Sequence, residues 1–318
     1  MSFERILPFL RPIEAVILDD TVSEIMVNGN GRIFAERAGR MAPVDAAISE
    51  RSLQVAVKNI ARALGEDISD EKPALDARLP DGSRVAAVFP PCSVGGTTLT
   101  IRKFQRSFFD LDTLVRHGFM PEAVAAGLRV GLKGKQNVLI SGATGSGKTT
   151  LLNALAATIP ETERLLVIEE TAEIALEQPN VVRLEARREQ PHAPAVSMRD
   201  LLRAALRHRP DRIILGEVRG GEAFDMLQVL NTGHNGSLST IHANSARQAL
   251  TRFTSCALQS GVELPYRAVR ANIAESVQWI VHLGRVDGRR EVLELERVQS
   301  YAYDADNFET EAVYRKGA

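Results

Sequence analysis

Four residues in the middle of the chain have the types and the spacing needed to hold a polyphosphate. Gly142 and Gly147 enclose four residues, and Lys148 and Thr149 follow directly. Small residues let successive backbone N–H groups curl around an anion, and a helix that begins here points its positive end at the same anion. Lys148 would supply a mobile charge to the β- and γ-phosphates, and the Thr149 hydroxyl would ligate Mg²⁺. The pattern predicts a loop that binds a nucleoside triphosphate, ATP, together with Mg²⁺.

The sequence around this pattern has the order that a phosphate-binding loop requires. An apolar run at 137–140 precedes the loop and a helical pattern at 151–155 follows it, so strand, loop and helix come in sequence. A glycine-rich turn that matches by accident is the alternative, and this context disfavours it. We expect the whole loop to contact the nucleotide, namely Gly142, Ala143, Thr144, Gly145, Ser146, Gly147, Lys148, Thr149 and Thr150.

Acidic residues follow two apolar runs that are typical of strands. The stretch LLVIEETAEI contains Glu169, Glu170 and Glu173, and the stretch RIILGEVRG contains Glu217. A triphosphate site needs a metal partner and a group that orients or deprotonates water. Glu170 and Glu217 are the catalytic candidates, and Glu217 with Thr149 forms the candidate metal pair. For Glu169 and Glu173, a solvated strand end or a helix cap is an equally good interpretation.

Two histidines flank a further apolar run in the stretch NTGHNGSLSTIHANS. A zinc site would need more ligands than this pair supplies. His242 follows a strand of the same predicted sheet as the loop, so we predict that it senses the γ-phosphate and count it as catalytic. The role of His234 stays open.

A basic run with helical spacing lies between the two acidic stretches. Its arginines would form either a solvated helix face or a surface that contacts a neighbouring subunit, and both interpretations stay open. The residues concerned are Arg199, Arg203, Arg207 and Arg209, and the contact with a neighbouring subunit would include Arg219 further along the chain.

The elements that must position these residues alternate between strand and helix after residue 134. Six apolar strands are separated by helical patterns, which favours an α/β fold with a mostly parallel sheet that binds ligands at the carboxyl ends of its strands. The predicted strands are Val138–Ile140, Leu165–Ile168, Val181–Leu184, Ile213–Leu215, Leu238–Ile241 and Val277–Leu283.

The first hundred residues have a different pattern, which predicts a smaller α+β domain. Turn signals at 28–31 and at 81–82 each lie between strand-like runs and indicate two hairpins. A helical pattern behind Ser49 lies between these hairpins. We therefore predict an N-terminal α+β (PAS-like) domain at 1–104, a linker at 105–134 and an ATPase domain at 135–318.

Composition excludes several classes of protein. The 318 residues include 39 Lys+Arg and 40 Asp+Glu, so no basic field indicates nucleic-acid binding. Cys92 and Cys256 are the only cysteines and allow neither a disulfide framework nor a four-cysteine zinc site. The sequence shows no signal peptide or membrane-spanning run, so we expect a cytoplasmic protein that meets the membrane through partners.

Several stretches together resemble the type II/type IV secretion ATPase superfamily. They are GATGSGKTT, IEETAEI, the run from 198 to 245, and LPDGSRVAAVFPP with LTIRKF. The nearest branch is the conjugation and pilus-assembly ATPases named TrbB and CpaF. The resemblance identifies the Walker A box at 142–149, the Asp box at 169–173, the Walker B box at 213–217 and the His box at 233–242.

This resemblance implies a homo-hexameric ring in which ATP lies between an N-terminal domain and a RecA-like C-terminal domain. It also implies that Arg84 in DGSRV and Arg102 in TIRKF supply catalytic positive charge to the phosphates. Two features depart from the common pattern: Glu170 stands where many relatives have Asp, and Gly216 stands at the usual Asp of the Walker B box. The four-cysteine insert of the pilus-extension and type II branches is absent from the sequence.

The predicted function is ATP hydrolysis that powers substrate transfer or pilus assembly by a type IV secretion or conjugation machine. The alternatives are a CpaF-like ATPase of a tight-adherence pilus, a RecA-like DNA-translocating motor and a nucleotide-gated scaffold without turnover. Balanced charge counts against the DNA motor, so direct nucleic-acid binding is not expected. The expected partners are further copies of this chain and platform proteins of the inner membrane, at which the protein would be peripheral.

Overall fold

The computed structural model describes residues 6–37, 39–104, 109–187, 189 and 193–317. The chain forms two compact units, residues 1–106 and residues 107–318. The domain and linker boundaries proposed from the sequence stay a prediction.

An antiparallel sheet forms the centre of the first unit, and its described strands lie in the order β3-β2-β1-β6-β5-β4. Both predicted hairpins are confirmed, because β1 pairs with β2 and β4 pairs with β5. No pattern in the sequence predicts β3, which is an exposed edge strand. In chain order the elements are two 3-10 turns (Leu7–Phe9 and Arg11–Ile13), α1 (Glu14–Leu18), β1 (Val22–Val27), β2 (Ile33–Arg37), β3 (Arg40–Val44), α2 (Glu50–Ala63), β4 (Ala74–Arg78), β5 (Arg84–Val88) and β6 (Thr98–Arg102).

Helix α2 supplies much of the core of this unit. Ser49 caps it, since its hydroxyl accepts the N–H of Ser52 at 3.2 Å. Leu53, Val57 and Ile60 recur at helical spacing and are buried in one hydrophobic cluster with alternate residues of the strands. One face of the sheet is thereby covered by this helix.

The second unit contains a mixed sheet in the order β14-β13-β12-β7-β11-β10-β8-β9 within the described residues. Neighbouring strands from β12 to β9 in this order run parallel, and β13 and β14 extend the sheet as antiparallel strands. In chain order the elements are α3 (Leu111–Arg116), α4 (Glu122–Lys133), β7 (Val138–Gly142), α5 (Lys148–Ala156), β8 (Leu165–Glu169), β9 (Val181–Glu185), α6 (Met198–Ala205), β10 (Arg212–Val218), α7 (Glu222–Asn231), β11 (Leu238–Ile241), α8 (Ala246–Leu258), α9 (Tyr266–Ser276), β12 (Trp279–Val286), β13 (Arg289–Ala302) and β14 (Asn307–Arg315).

Helices cover both faces of this sheet, as the alternation of strands and helices predicts. Leu139 packs with α6 to α9, whereas its neighbour Ile140 packs with α3 to α5. Ile213 and Ile214 divide in the same way, because successive side chains of a strand point to opposite faces. The six predicted strands and the α/β fold class are confirmed.

Two parts of this unit differ in detail from the sequence-based description. Helices α3 and α4 lie within the range proposed as a linker, and Leu114 and Leu128 on them are buried in the core beside β7. The long hairpin of β13 and β14 follows the last predicted strand and has an apolar-polar alternation that we did not identify. Among the residues that the structure describes, no helix has the length and hydropathy to cross a bilayer.

Candidate functional site

The glycine loop joins β7 to α5 and adopts a backbone that requires glycine. Gly147 immediately precedes α5 with φ of 100°, in the left-handed region. A Cβ at this position would lie 3.0 Å from the ring of Phe119. At Gly142, where φ is 155°, a Cβ would lie 2.5 Å from Oγ of Ser146 and 2.6 Å from a backbone oxygen. The loop therefore keeps its curled shape at the N-terminus of α5 only with glycine at both positions.

Lys148 lies over this loop and is nearly buried. Its ammonium donates to the carbonyl oxygens of Gly142 and Ala143, each at 3.0 Å. Burial lowers the pKa of Lys148, and the nearby carboxylates of Glu217 and Glu173 oppose that shift. The loop itself therefore positions the Lys148 ammonium, which is the charge expected to bind phosphate.

A chain of contacts connects Lys148 to His242 and Glu217. Nζ of Lys148 lies 3.3 Å from Nδ1 of His242, and Nε2 of the same ring lies 2.6 Å from Oε1 of Glu217. A lysine ammonium can only donate, so Nδ1 accepts and Nε2 carries the ring proton. Burial lowers the pKa of His242, which favours this neutral form. Oε1 of Glu217 accepts no well-aligned hydrogen bond from the described residues, although it is buried.

Arg219 connects the two acidic candidates. Its Nε and Nη2 lie 2.7 and 2.6 Å from Oε2 of Glu217, and its Nη1 donates to Oε2 of Glu170. The sequence associated Arg219 only with the possible contact to a neighbouring subunit. Its position two residues after Glu217, at the carboxyl end of β10, was the available signal.

Glu169 is separated from this network although it is adjacent to Glu170 in the chain. Its side chain is 3% exposed, and Oε1 accepts the N–H groups of Glu173 and Ile174 at 2.8 and 2.9 Å. Burial raises the pKa of Glu169 to about 7, although the two N–H donors oppose the shift. Glu169 is therefore neither a solvated strand end nor a helix cap, because the residues that donate to it lie in a turn between β8 and β9.

Gly216 makes room for that buried carboxyl group. A Cβ on Gly216 would lie 2.9 Å from Cγ of Glu169. This contact gives a steric reason for glycine at the place where the Walker B pattern usually has Asp. The acid at this strand end is therefore Glu217, one residue later.

Glu173 is a further candidate for the site, although the sequence left a purely structural role for it equally open. Its carboxylate acts through space on both Lys148 and Arg219. Its N–H group donates to Glu169, which closes a turn after β8. Its place three residues after Glu170 in the acidic stretch IEETAEI was the signal for it.

The remaining loop residues fit a phosphate and a metal ion. Oγ of Ser146 is buried and has no hydrogen-bond partner among the described residues. Thr149 and Thr150 lie half-buried in the first turn of α5, where backbone N–H groups are unpaired within the helix. Within the described ranges, no three His, Cys, Asp or Glu side chains gather as a metal site. Mg²⁺ in nucleotide sites is commonly held by one or two protein groups and by phosphate oxygens, and Thr149 with Glu217 would be such a pair.

Other candidates lie away from this network. His234 contacts the backbone oxygen of Val229 in α7, and it precedes β11 whereas His242 follows that strand, so the two histidines lie at opposite ends of it. Arg199 and Arg203 of α6 form salt bridges with Asp225 of α7 at 2.6 and 3.2 Å. These two arginines therefore join neighbouring helices within the chain.

Arg84 and Arg102 lie in the first unit, on neighbouring strands. They are Cα partners across β5 and β6, so their side chains share one face of the sheet. Arg78 is the Cα partner of Arg84 on the other side and continues the row, which the sequence reasoning missed. Glu24 is the partner of Arg102 on β1. The action of Arg84 and Arg102 on phosphates stays a prediction.

Comparison with known proteins gives relatives that match nearly the whole chain. Conjugal transfer protein TrbB of Rhizobium radiobacter is 38% identical over 291 residues, covering 90% of this chain and 87% of that protein. Type IV secretion system protein PtlH of Bordetella pertussis is 38% identical, with 86% of this chain and 89% of that protein covered. Type IV secretion system protein VirB11 of Bartonella quintana is 33% identical, with 91% and 92% covered.

Solved structures share the fold. The pilus retraction motor PilT with bound ADP matches 98% of this chain and 84% of its own with a TM-score of 0.62 and 18% identity. The ATPase DotB of Legionella pneumophila matches 94% and 81% with a TM-score of 0.59 and 22% identity. These likenesses support the RecA-like P-loop fold expected for the second unit.

The family model described as Type II/IV secretion system protein matches residues 10–309. The chain therefore belongs to the type II/IV secretion system protein family, and the resemblance inferred from its motifs is confirmed.

Proposed function

We propose that this chain is a Mg²⁺-dependent ATP hydrolase that works as a homo-hexameric motor of a type IV secretion or conjugation system. The observation that carries the proposal is the contact chain from Lys148 through His242 to Glu217 at the mouth of the glycine loop. It joins a phosphate-binding group to a carboxylate through a neutral imidazole. The names of the relatives, a conjugal transfer protein and two type IV secretion proteins, support the biological setting.

Binding of ATP would use the loop amides and Lys148. The ammonium donates to two loop carbonyls, and phosphate oxygens are stronger acceptors because they are charged. When Lys148 turns to a phosphate, Nδ1 of His242 loses its donor. His242 would in this way report phosphate binding to Glu217, which is the sensor role proposed for it.

Hydrolysis would use the carboxylates beside Lys148 and Arg219. Mg²⁺, held by Thr149 and Glu217, would neutralise charge on the phosphates. Glu170, Glu173 and Glu217 are the acids that act on Lys148 or Arg219, and they are the candidates for orienting the attacking water. Arg84 and Arg102 of the first unit would add positive charge to the transferring phosphoryl group.

The hexamer and the location belong to the same proposal. A ring of identical subunits would convert ATP turnover into movement of one unit relative to the other. We place the motor in the cytoplasm, peripheral to the inner membrane through platform proteins of the secretion system. Its cargo would be handed over by those partners, without direct binding of nucleic acid by this chain.

Phosphate release by the purified chain tests the enzymatic part. Lys148→Ala removes the phosphate-facing charge, so we expect steady-state release to fall by more than about 100-fold. Lys133→Ala, which changes an exposed lysine at the end of α4, is the matched control and should release phosphate at the wild-type rate. Full turnover in Lys148→Ala would contradict the proposal. ATP binding by the wild-type chain without phosphate release would favour the nucleotide-gated scaffold instead.

A further inference from the structure

Arg219 occupies one oxygen of the carboxylate that would serve the metal ion. Two of its nitrogens, Nε and Nη2, lie 2.7 and 2.6 Å from Oε2 of Glu217. Its third nitrogen, Nη1, donates to Glu170. One guanidinium thus connects two acids from neighbouring strand ends.

The two oxygens of Glu217 have different surroundings. Oε1 faces Nε2 of His242, which is itself held by Lys148. Oε2 faces Arg219, whose side chain is 60% exposed, whereas that of Glu217 is 18% exposed. The inner oxygen is therefore buried beside His242 without a well-aligned donor, and the outer oxygen has a partner that can exchange with solvent.

The backbone at Arg219 is fixed, so the exchange concerns its side chain. Oε1 of Glu222 accepts the N–H groups of Arg219 and Gly220 at 2.5 and 2.7 Å. Gly221 packs closely on the turn after α8, because a Cβ there would lie 2.9 Å from Cα of Ser260. A long flexible side chain on this anchored turn can leave Glu217 without a movement of the main chain.

A divalent cation and this guanidinium exclude each other at Oε2. Mg²⁺ binds oxygen ligands at about 2.0–2.1 Å in a nearly octahedral geometry. A cation at that distance would lie next to two guanidinium nitrogens of like charge, and the repulsion is strong where water is partly excluded. Arg219 must release Oε2 before that oxygen can serve a metal ion, since Oε1 is buried against His242.

We propose that Arg219 is a positioning residue that competes with the divalent cation for Glu217 and keeps Glu170 as its partner once the cation has bound. This rests on the proposed function, because it assumes a metal-nucleotide complex in the loop. Arg219 would then set how much Mg²⁺ the site requires. After Arg219 has released Glu217, it would also hold Glu170 at the edge of the site.

Metal affinity tests this role without relying on turnover. We would titrate Mn²⁺ into the full chain with saturating ADP and measure free Mn²⁺ by electron paramagnetic resonance. Arg219→Gln removes the competitor and a like charge, so Mn²⁺ should bind about three- to tenfold more tightly. Arg219→Lys keeps the charge but not the planar fork and should lie between the two.

A matched control separates the local contact from general charge. Arg252→Gln removes an exposed arginine of α8, and its Mn²⁺ affinity should equal that of the wild type. Weaker or unchanged Mn²⁺ binding in Arg219→Gln, with ADP binding intact, would overturn the role of Arg219 and leave the proposed function standing. Absence of ADP binding in the wild-type chain would overturn the proposed function and this inference with it.

Discussion

The carboxyl ends of β8 and β10 place the same residue type in two different environments. The strands are adjacent and parallel, with Leu215 opposite Ile168, so both deliver glutamates to one edge of the sheet. At the end of β8, Glu169 turns into the core and accepts two backbone N–H groups. At the end of β10, Glu217 faces His242 and Arg219.

The difference shows that the partners of a carboxyl group decide its role. Glu169 has neutral N–H donors and little solvent, so its pKa rises to about 7 and it stabilises the turn after β8. Glu217 has cationic and imidazole partners beside the glycine loop, as the chemistry proposed for it requires. Gly216 separates the two environments, because only glycine leaves room for the buried side chain.

The largest expected effect is on the pH dependence of the free energy of unfolding, and it concerns the buried Glu169. The folded pKa of Glu169 is raised from 4.5 to about 7, so its contribution to stability is full below pH 4.5 and is lost as pH rises through 7. The loss amounts to about 3 kcal/mol by linkage. Glu169→Gln, which cannot ionise, should remove this part of the pH dependence of the free energy of unfolding.

Urea unfolding at pH 4.5 and at pH 7 measures that change. Glu161→Gln, which alters an exposed acid before β8, is the control and should follow the wild-type profile. Parallel profiles for Glu169→Gln and the wild type would show that Glu169 ionises as an ordinary surface acid does.

The next effect concerns the link between Glu217 and the loop. His242→Ala breaks the contacts with Lys148 and with Glu217, so ATP turnover should fall about 100-fold, or about 2.7 kcal/mol in activation free energy. His234→Ala changes the histidine at the other end of β11 and should leave turnover near the wild-type value. Equal losses in the two variants would remove the distinction between the two ends of that strand.

The smallest effect concerns the glycine between the two environments. Gly216→Ala places a methyl group against Cγ of Glu169 and should lower the free energy of unfolding by about 1–2 kcal/mol. In a Glu169→Ala background the same change should have a smaller effect, because the crowding atom is gone. A double-mutant cycle of unfolding free energies measures this coupling.

The parts of the molecule that could be predicted are those that depend on short stretches of sequence. The strand, loop and helix around Lys148 follow from local glycine and apolar patterns, and the six apolar runs predict the strands of the parallel sheet. The strands at 289–302 and 307–315 were missed because their alternation includes many charged residues on the exposed side.

The division of work among the acids could not be predicted from the same patterns. Glu169 and Glu170 are adjacent, and only packing against Gly216 of the next strand places one of them in the core. The bridge from Arg219 to Glu170 joins residues 49 positions apart. Such contacts depend on the order of the strands in the sheet, which local periodicity does not contain.

Turnover of two single variants tests most directly whether Glu217, and not Glu169, serves the nucleotide site. We would measure phosphate release and ADP binding for Glu217→Gln and for Glu169→Gln below pH 7. At such a pH the native Glu169 of the first variant is mostly neutral, as the glutamine of the second variant is. The account predicts that Glu217→Gln binds ADP but loses turnover by about 100-fold or more, while Glu169→Gln stays within about threefold of the wild type. Full turnover in Glu217→Gln, or an equally deep loss in Glu169→Gln with ADP binding intact, would contradict it.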